Sequence, residues 1–247
     1  MPLRANLIAH RGNCAHLPEN SLAAVRSALS LGVGFVEVDI QFCRDRVPVL
    51  LHDLSLARTS GLDRRIVEVD WPEAQSLSIA EPKRLAGFKH ECLPQLSQLV
   101  SLIGEWPDRL FFIEIKEESL AFFDAAALLK IIHQTTLSVQ QQCIFICYNA
   151  AVLHALRKLS NTPVGLILRL WDAQNLQILS QLKPEYILCN QRKLPVHLEH
   201  LPPTSGLWGF YEITDLSTAK RLQTLGATLI ETMDPEKLIR ADHDATS

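Results

Sequence analysis

The stretch between Asp39 and Val47 is too short to hold a helix, and this decides how the strands of the chain can close. Nine runs read as strands: residues 6–10, 35–40, 47–51, 110–115, 144–148, 164–168, 186–189, 207–211 and 228–231. Runs with helical spacing fall between most of them, at 20–31, 73–77, 96–103, 120–134, 150–159, 173–182, 217–225 and 235–239. Strands alternating with helices in this way make a parallel sheet. A parallel return needs a crossover of about a dozen residues, so 47–51 must come back antiparallel beside 35–40. Eight parallel strands remain, the number that closes a barrel. The expected fold is therefore α/β: a (β/α)8 TIM-type barrel with a short extra hairpin strand after the second strand. An open doubly wound sheet is the alternative. It is disfavoured because the first strand runs into HRGN and not into a glycine-rich phosphate loop. No linker, repeat or low-complexity stretch interrupts the 247 residues, so 1–247 reads as a single barrel domain.

Composition narrows the function. The net charge of −3 gives no sign of a nucleic-acid partner, which usually demands a basic excess. No stretch approaches the ~20 apolar residues of a membrane span, and the apolar run near the N-terminus is too short for a signal peptide. The six cysteines form no CxxC pair and read as reduced, buried thiols in a reducing compartment. A cytoplasmic protein with no stable membrane association is expected.

Three strands end in polar clusters: His10-Arg11-Gly12, Glu37-Val38-Asp39 and Glu114-Ile115-Lys116. Barrel active sites lie at the C-terminal ends of strands, so the clusters should meet at one rim. Residues two apart on a strand share a face, so Glu37 points with Asp39, and Glu114 with Lys116. Three converging carboxylates repel each other unless a positive charge intervenes. A hard divalent cation, Mg²⁺ or Ca²⁺, would supply it; the alternative is a buried salt-bridge cluster completed by Arg11 and Lys116. With Asp45-Arg46 as a two-residue turn, the hairpin pairs residues whose numbers sum to 91, which sets His52 opposite Asp39. Two histidines, His10 and His52, then flank the carboxylates, a pattern that points to acid–base catalysis.

These residues fall within blocks that resemble the glycerophosphodiester phosphodiesterase family: HRGNCAHLPENS at 10–21, FVEVDIQFCRDRVPVLLHD at 35–53, ECLPQL at 91–96, FFIEIK at 111–116, LWGFY at 207–211 and ETMDP at 231–235. The resemblance spans nearly the whole chain, in order. It implies a barrel, one divalent ion held by Glu37, Asp39 and Glu114, and catalysis by His10 and His52. It also implies phosphate contacts from Arg11 and Lys116, and Trp208 as a rim aromatic beside the substrate. The implied reaction is metal-dependent hydrolysis of a small glycerophosphodiester to glycerol 3-phosphate and an alcohol, through attack by the substrate's own 2-hydroxyl. The alternatives are a lysophospholipase D-type enzyme and a catalytically silent phosphodiester-binding barrel. Four positions depart from the family pattern: Arg46 replaces the glycine of the hairpin turn, and Cys43, Gln98 and Met233 replace a threonine and two acids.

Other polar residues read more plainly. Asn20 or Ser21 is expected to cap the helix at 20–31, and Asn20 reads as a cap before it reads as a ligand. His16 should be solvated, and His133 and His154 should lie on helix surfaces. His197 and His200 flank an irregular stretch, and Lys83, Arg84 and Lys89 form a basic loop expected to face solvent. Only 61 residues separate His52 from Glu114, which leaves little for a capping domain and predicts an open, polar rim.

Overall fold

In the computed structural model, which describes residues 3–246, nine strands form one sheet. They are β1 (Leu7–Ala9), β2 (Phe35–Phe42), β3 (Pro48–Leu50), β4 (Leu110–Ile115), β5 (Cys143–Cys147), β6 (Val164–Leu168), β7 (Tyr186–Asn190), β8 (Leu207–Tyr211) and β9 (Leu229–Thr232). All except β3 are parallel, and β1 pairs with both β2 and β9, which closes an eight-stranded barrel. β3 lies outside the ring, antiparallel to β2.

The two-residue period of each strand sorts its side chains. Ile8, Phe112, Ile144, Ile146, Ile167, Leu188 and Leu229 fill the barrel interior. Their neighbours, among them Val36, Val38, Phe111, Ile113 and Phe210, face outward against the helices. Both layers are buried, and each large apolar side chain so placed contributes ~1.5–3 kcal/mol. The interior is tightly filled: a Cβ on Gly165 would stand 2.7 Å from the Ile146 side chain.

The helices start where their caps dictate. Ser21, and not Asn20, caps Leu22–Ser30, its hydroxyl accepting from the Ala24 N–H. The single helix expected at 120–134 is two, Glu117–Leu120 and Ala125–Thr136, because the Asp124 carboxylate accepts from the Ala126 N–H and starts a new helix there. No α-helix joins β7 to β8. That crossover is irregular apart from a 3-10 turn at Gln191–Lys193, in keeping with its proline- and histidine-rich sequence.

The hairpin departs from expectation by one residue. Ile40 pairs with Leu50, Gln41 with Val49 and Phe42 with Pro48, so paired numbers sum to 90 and not 91. The loop has three residues, Arg44-Asp45-Arg46, closed by the Cys43 N–H donating to the Val47 carbonyl. Arg46 takes the left-handed conformation at φ 65° that a three-residue loop demands at its last position. Contacts from outside hold the loop: the Trp71 N–H donates to Asp45, and Arg44 pairs with Asp70. The segment after β3 builds a second apolar cluster around Val49, Leu51, Leu56, Ile66, Val69 and Leu93, so residues 54–93 pack beside the hairpin, while Leu96–Gly104 and β4 join the main core.

A non-glycine residue in the left-handed region costs ~1–2 kcal/mol. Arg46→Gly is therefore expected to stabilise the protein by about 1 kcal/mol, read as a higher urea midpoint at unchanged m-value. A lower midpoint would show that the exposed Arg46 side chain contributes more than its backbone costs.

Candidate active site and metal centre

The pleat of β2 turns Glu37 and Asp39 into the barrel, and both are buried. Parallel register sets Asp39 beside Glu114 on β4. Across β1, two strands round the ring from β2, Glu231 of β9 pairs with Ile8. The four carboxylates thus converge at the C-terminal ends of the strands. Glu114 and Glu231 line a pocket of about 230 Å³ together with His10, Arg11, His52, Lys116, Tyr148 and Tyr211, and Glu37 and Asp39 are held beside it by Arg11.

Two cations reach into this acid group. The Arg11 Nε lies 3.0 Å from Asp39 Oδ2, and the Arg11 backbone N–H donates to Glu37 Oε2 at 2.9 Å. The Lys116 ammonium is 2.8 Å from Glu114 Oε1 and 3.5 Å from Asp39 Oδ1. Asn20 does not act as a helix cap. Its amide nitrogen donates to Asp39 Oδ2 and its oxygen accepts from the Asp39 N–H, both at 3.0 Å. The loop that brings Arg11 and Asn20 here holds both at positive φ, with Gly12 between them at φ 79°. A Cβ on Gly12 would come within 2.5 Å of the Ala24 carbonyl carbon, so the loop requires glycine at that point.

Burial and mutual repulsion shape the titration of the group. Burial works to raise Asp39, but Arg11 and then Lys116 outweigh it and hold Asp39 below the usual carboxylate range. Burial, then Asp39 and Glu231, push Glu37 well up. Burial and Asp39 raise Glu114, and burial with Glu114 and Asp39 pushes Glu231 up to about 8. Burial and then Arg11 lower His10 to about 3. The cluster is short of positive charge.

The donor set fits a hard divalent ion. Carboxylate oxygens of Glu37, Asp39 and Glu114 lie within 4.8 Å of one another. Glu37 Oε1 and Asp39 Oδ1 are buried without a hydrogen-bond partner. Such orphaned anionic oxygens are what a cation satisfies.

Both histidines line the pocket, by different routes. His10 follows directly from β1. His52 is not opposite Asp39, because the Asp39 carbonyl accepts from the Leu51 N–H. It lies just past the ladder, where Gln41 donates to its carbonyl at 3.0 Å and its Nδ1 meets Asp53 Oδ1 at 2.6 Å. Trp208 is not at the rim. It is the second residue of β8, at the far end of the barrel, 4% exposed and facing outward against Trp171 and Phe210. The aromatic wall comes instead from Tyr148 and Tyr211, whose hydroxyls are 3.0 Å apart. Arg84 is also not free in its basic loop: it donates to Glu81 and to the Cys14 carbonyl. His16 is half-exposed, 3.4 Å from Asp234.

Sequence reading missed Glu231, although the two-apart rule that found Glu37 and Asp39 applies to it from Leu229. It also missed Glu19 and Arg58. Buried Glu19 accepts from Arg11 at 3.1 Å and from Arg58 at 2.6 Å, and Arg58 in turn donates to Asp53 at 2.6 Å. Arg58 also lies 3.6 Å from Glu81.

This network has a pH signature. The His52 and Arg58 hydrogen bonds hold Asp53 below its ordinary value, and Arg84 holds Glu81 down against burial. Carboxylates with depressed folded values contribute stability that is present above about pH 4 and lost as pH falls below it. Arg58→Met is expected to lower the thermal midpoint at pH 7 by roughly 2–4 °C, what ~1 kcal/mol is worth in a chain this long. It should also shrink the fall in midpoint between pH 6 and pH 3. An unchanged acid-side slope would remove the network from the account of acid stability.

Comparison with known proteins agrees with this geometry. The model of the glycerophosphoryl diester phosphodiesterase family matches residues 10–194. Bovine glycerophosphodiester phosphodiesterase 1 is 31% identical over 171 residues, which take in 68% of this chain and 50% of the bovine protein. A human lysophospholipase D is 39% identical over 118 residues, 46% of this chain and 36% of the human protein. The chain thus spans half or less of the length of these curated relatives. In fold it is similar to an Oleispira antarctica phosphodiesterase solved in complex with the product sn-glycerol-3-phosphate, with a TM-score of 0.82, 21% identity and 96% coverage of each chain. No helix among the described residues is long and apolar enough to cross a membrane. With the family model covering most of the sequence and the barrel and its acidic mouth in place, the chain belongs to the glycerophosphoryl diester phosphodiesterase family.

Proposed function

We propose that the protein hydrolyses small glycerophosphodiesters to glycerol 3-phosphate and an alcohol, with one divalent cation, Mg²⁺ or Ca²⁺, held by Glu37, Asp39 and Glu114. The observation that carries this reading is the pairing of a buried, cation-deficient carboxylate group with two histidines at one pocket. When bound, the cation supplies Lewis-acid stabilisation of charge on the phosphoryl oxygens. Arg11 and Lys116 face the same pocket and bind the phosphate, their charges fixed by Asp39 and Glu114. Between them His10 and His52 move the two protons that the reaction requires. One takes the proton of the attacking 2-hydroxyl, and the other protonates the leaving alcohol. The cyclic phosphate formed in this way is then opened by water. Asp53, bonded to His52 Nδ1, fixes that ring and leaves its Nε2 for the proton transfer.

The pocket volume suits a glycerol phosphate, with Tyr148 and Tyr211 against the glycerol carbons in the place expected for Trp208. The alcohol projects outward. A silent binding barrel would need neither histidine. A cytoplasmic setting, with residues 1–247 as one working unit, suits the five buried free thiols. One observation favours a second reading, action on lysophospholipids: Phe122 and Leu170, on the loops after β4 and β6, are 46% and 58% exposed.

Chelation should abolish turnover of glycerophosphocholine, and Mg²⁺ or Ca²⁺ should restore it. His10→Ala and His52→Ala should each lower kcat ~10²-fold or more, with binding of the ion to Glu37, Asp39 and Glu114 little changed. Near-normal turnover in either variant withdraws that histidine. Glycerophosphocholine should exceed lysophosphatidylcholine in kcat/KM below the latter's micelle threshold. The reverse order moves the assignment to a lysophospholipase D.

A further inference from the structure

We infer that the pocket contains a second cation site, formed by His10, Glu37 and Glu231, and that a borderline ion such as Mn²⁺ entering it arrests the enzyme. The donor spacing points to an ion. His10 Nε2 lies 3.9 Å from Glu37 Oε2 and 3.9 Å from Glu231 Oε1. These distances are too long for hydrogen bonds, yet the three donor atoms lie within 4.8 Å of one another. Donors about 4 Å apart ring a point roughly 2.3 Å from each, close to the length of a metal bond to nitrogen or oxygen.

Apart from the Arg11 backbone N–H on Glu37 Oε2, the side chains concerned have no hydrogen-bond partner among the described residues. Glu231 is 3% exposed, and its carboxylate accepts no hydrogen bond from any described residue. Glu37 is 1% exposed with Oε1 unpartnered, and His10 Nδ1 is likewise buried without a partner. The two local cations are committed elsewhere: the Arg11 side chain pairs with Glu19 and Asp39, and Lys116 pairs with Glu114 and Asp39. Glu231 is thus a buried acid that neither cation pairs with, and the proposed reaction does not use it.

Glu37 belongs to both donor sets. A carboxylate shared in this way bridges two ions ~3.5–4 Å apart in two-metal sites. The sets differ in chemistry. Glu37, Asp39 and Glu114 offer only oxygen and suit Mg²⁺ or Ca²⁺, whereas an imidazole nitrogen with two carboxylates suits Mn²⁺ or Zn²⁺. An ion on His10 Nε2 takes up the lone pair that proton transfer needs. On the proposed function, filling the second site therefore removes half of the acid–base pair. The first ion activates and the second inhibits.

Mn²⁺ titration of the metal-free full chain tests this. The wild type should bind two ions per chain and show the exchange-coupled electron paramagnetic resonance signal of a bridged pair. Turnover of glycerophosphocholine should rise with the first equivalent and fall ~10-fold or more with the second. Glu231→Gln, matched in shape, should bind one ion, show only the uncoupled six-line signal, and keep its own maximal rate as Mn²⁺ increases. His10→Asn, which removes the imidazole nitrogen between the two carboxylates, should also bind one. Circular dichroism melts establish that each variant is folded. A single ion in the wild type, or a coupled signal that survives in Glu231→Gln, overturns the second site. Failure of the proposed function looks different: the ion count and coupling stand, but no glycerophosphodiester is hydrolysed at any Mn²⁺ level.

Discussion

The site depends on how Asp39 is held. Its carboxylate takes the Asn20 amide and the Arg11 guanidinium on one oxygen and faces Lys116 with the other. Its N–H is tied to Asn20 and its carbonyl to Leu51. One residue therefore joins the loop after β1, the middle of β2, the end of the hairpin and the end of β4. A buried carboxylate is tolerated only where charge and hydrogen bonds replace the lost water. That requirement draws four separate parts of the chain to a single point.

The compensation is incomplete. Arg11 and Lys116 serve Asp39 and Glu114 well, while Glu37 and Glu231 stay short of positive charge. From Asp39 a line of alternating charges runs outward through Arg11, Glu19, Arg58 and Asp53 to His52. The two histidines enter from different strands, yet their supporting loops are joined by this line. Coupling of this kind fixes the distance between the two rings more firmly than either loop could alone.

Much of this was legible in the residues. The βα alternation and the short interval after Asp39 led to the barrel and its extra strand, because periodicity and crossover length are local properties. Glu37, Asp39 and Glu114 were legible because charges on otherwise apolar strands have few ways to be satisfied. The hairpin register was not, since Arg46 gives no sign of a left-handed backbone and the contacts from Asp70 and Trp71 are tertiary. Trp208 was misplaced because its position along β8, near the N-terminal end and facing outward, depends on where the strand begins. Asn20 reads as a cap because its true partner, Asp39, lies on another element. Glu231 gives little sign of itself, since it stands as a lone acid at the end of a short apolar strand.

The ring closes through β1, a strand of only three residues whose neighbours β2 and β9 come from opposite ends of the described chain. Leu7 pairs with Ile230, a contact that spans nearly the whole sequence, and such contacts form late because the entropy of closing so long a loop must first be overcome. His10, Arg11 and Asn20 all follow that strand. During synthesis, then, the acids of β2 and β4 can find each other while the seam is still open. The loop that carries His10, Arg11 and Asn20 is fixed in the ring only after β9 has left the ribosome and docked against β1.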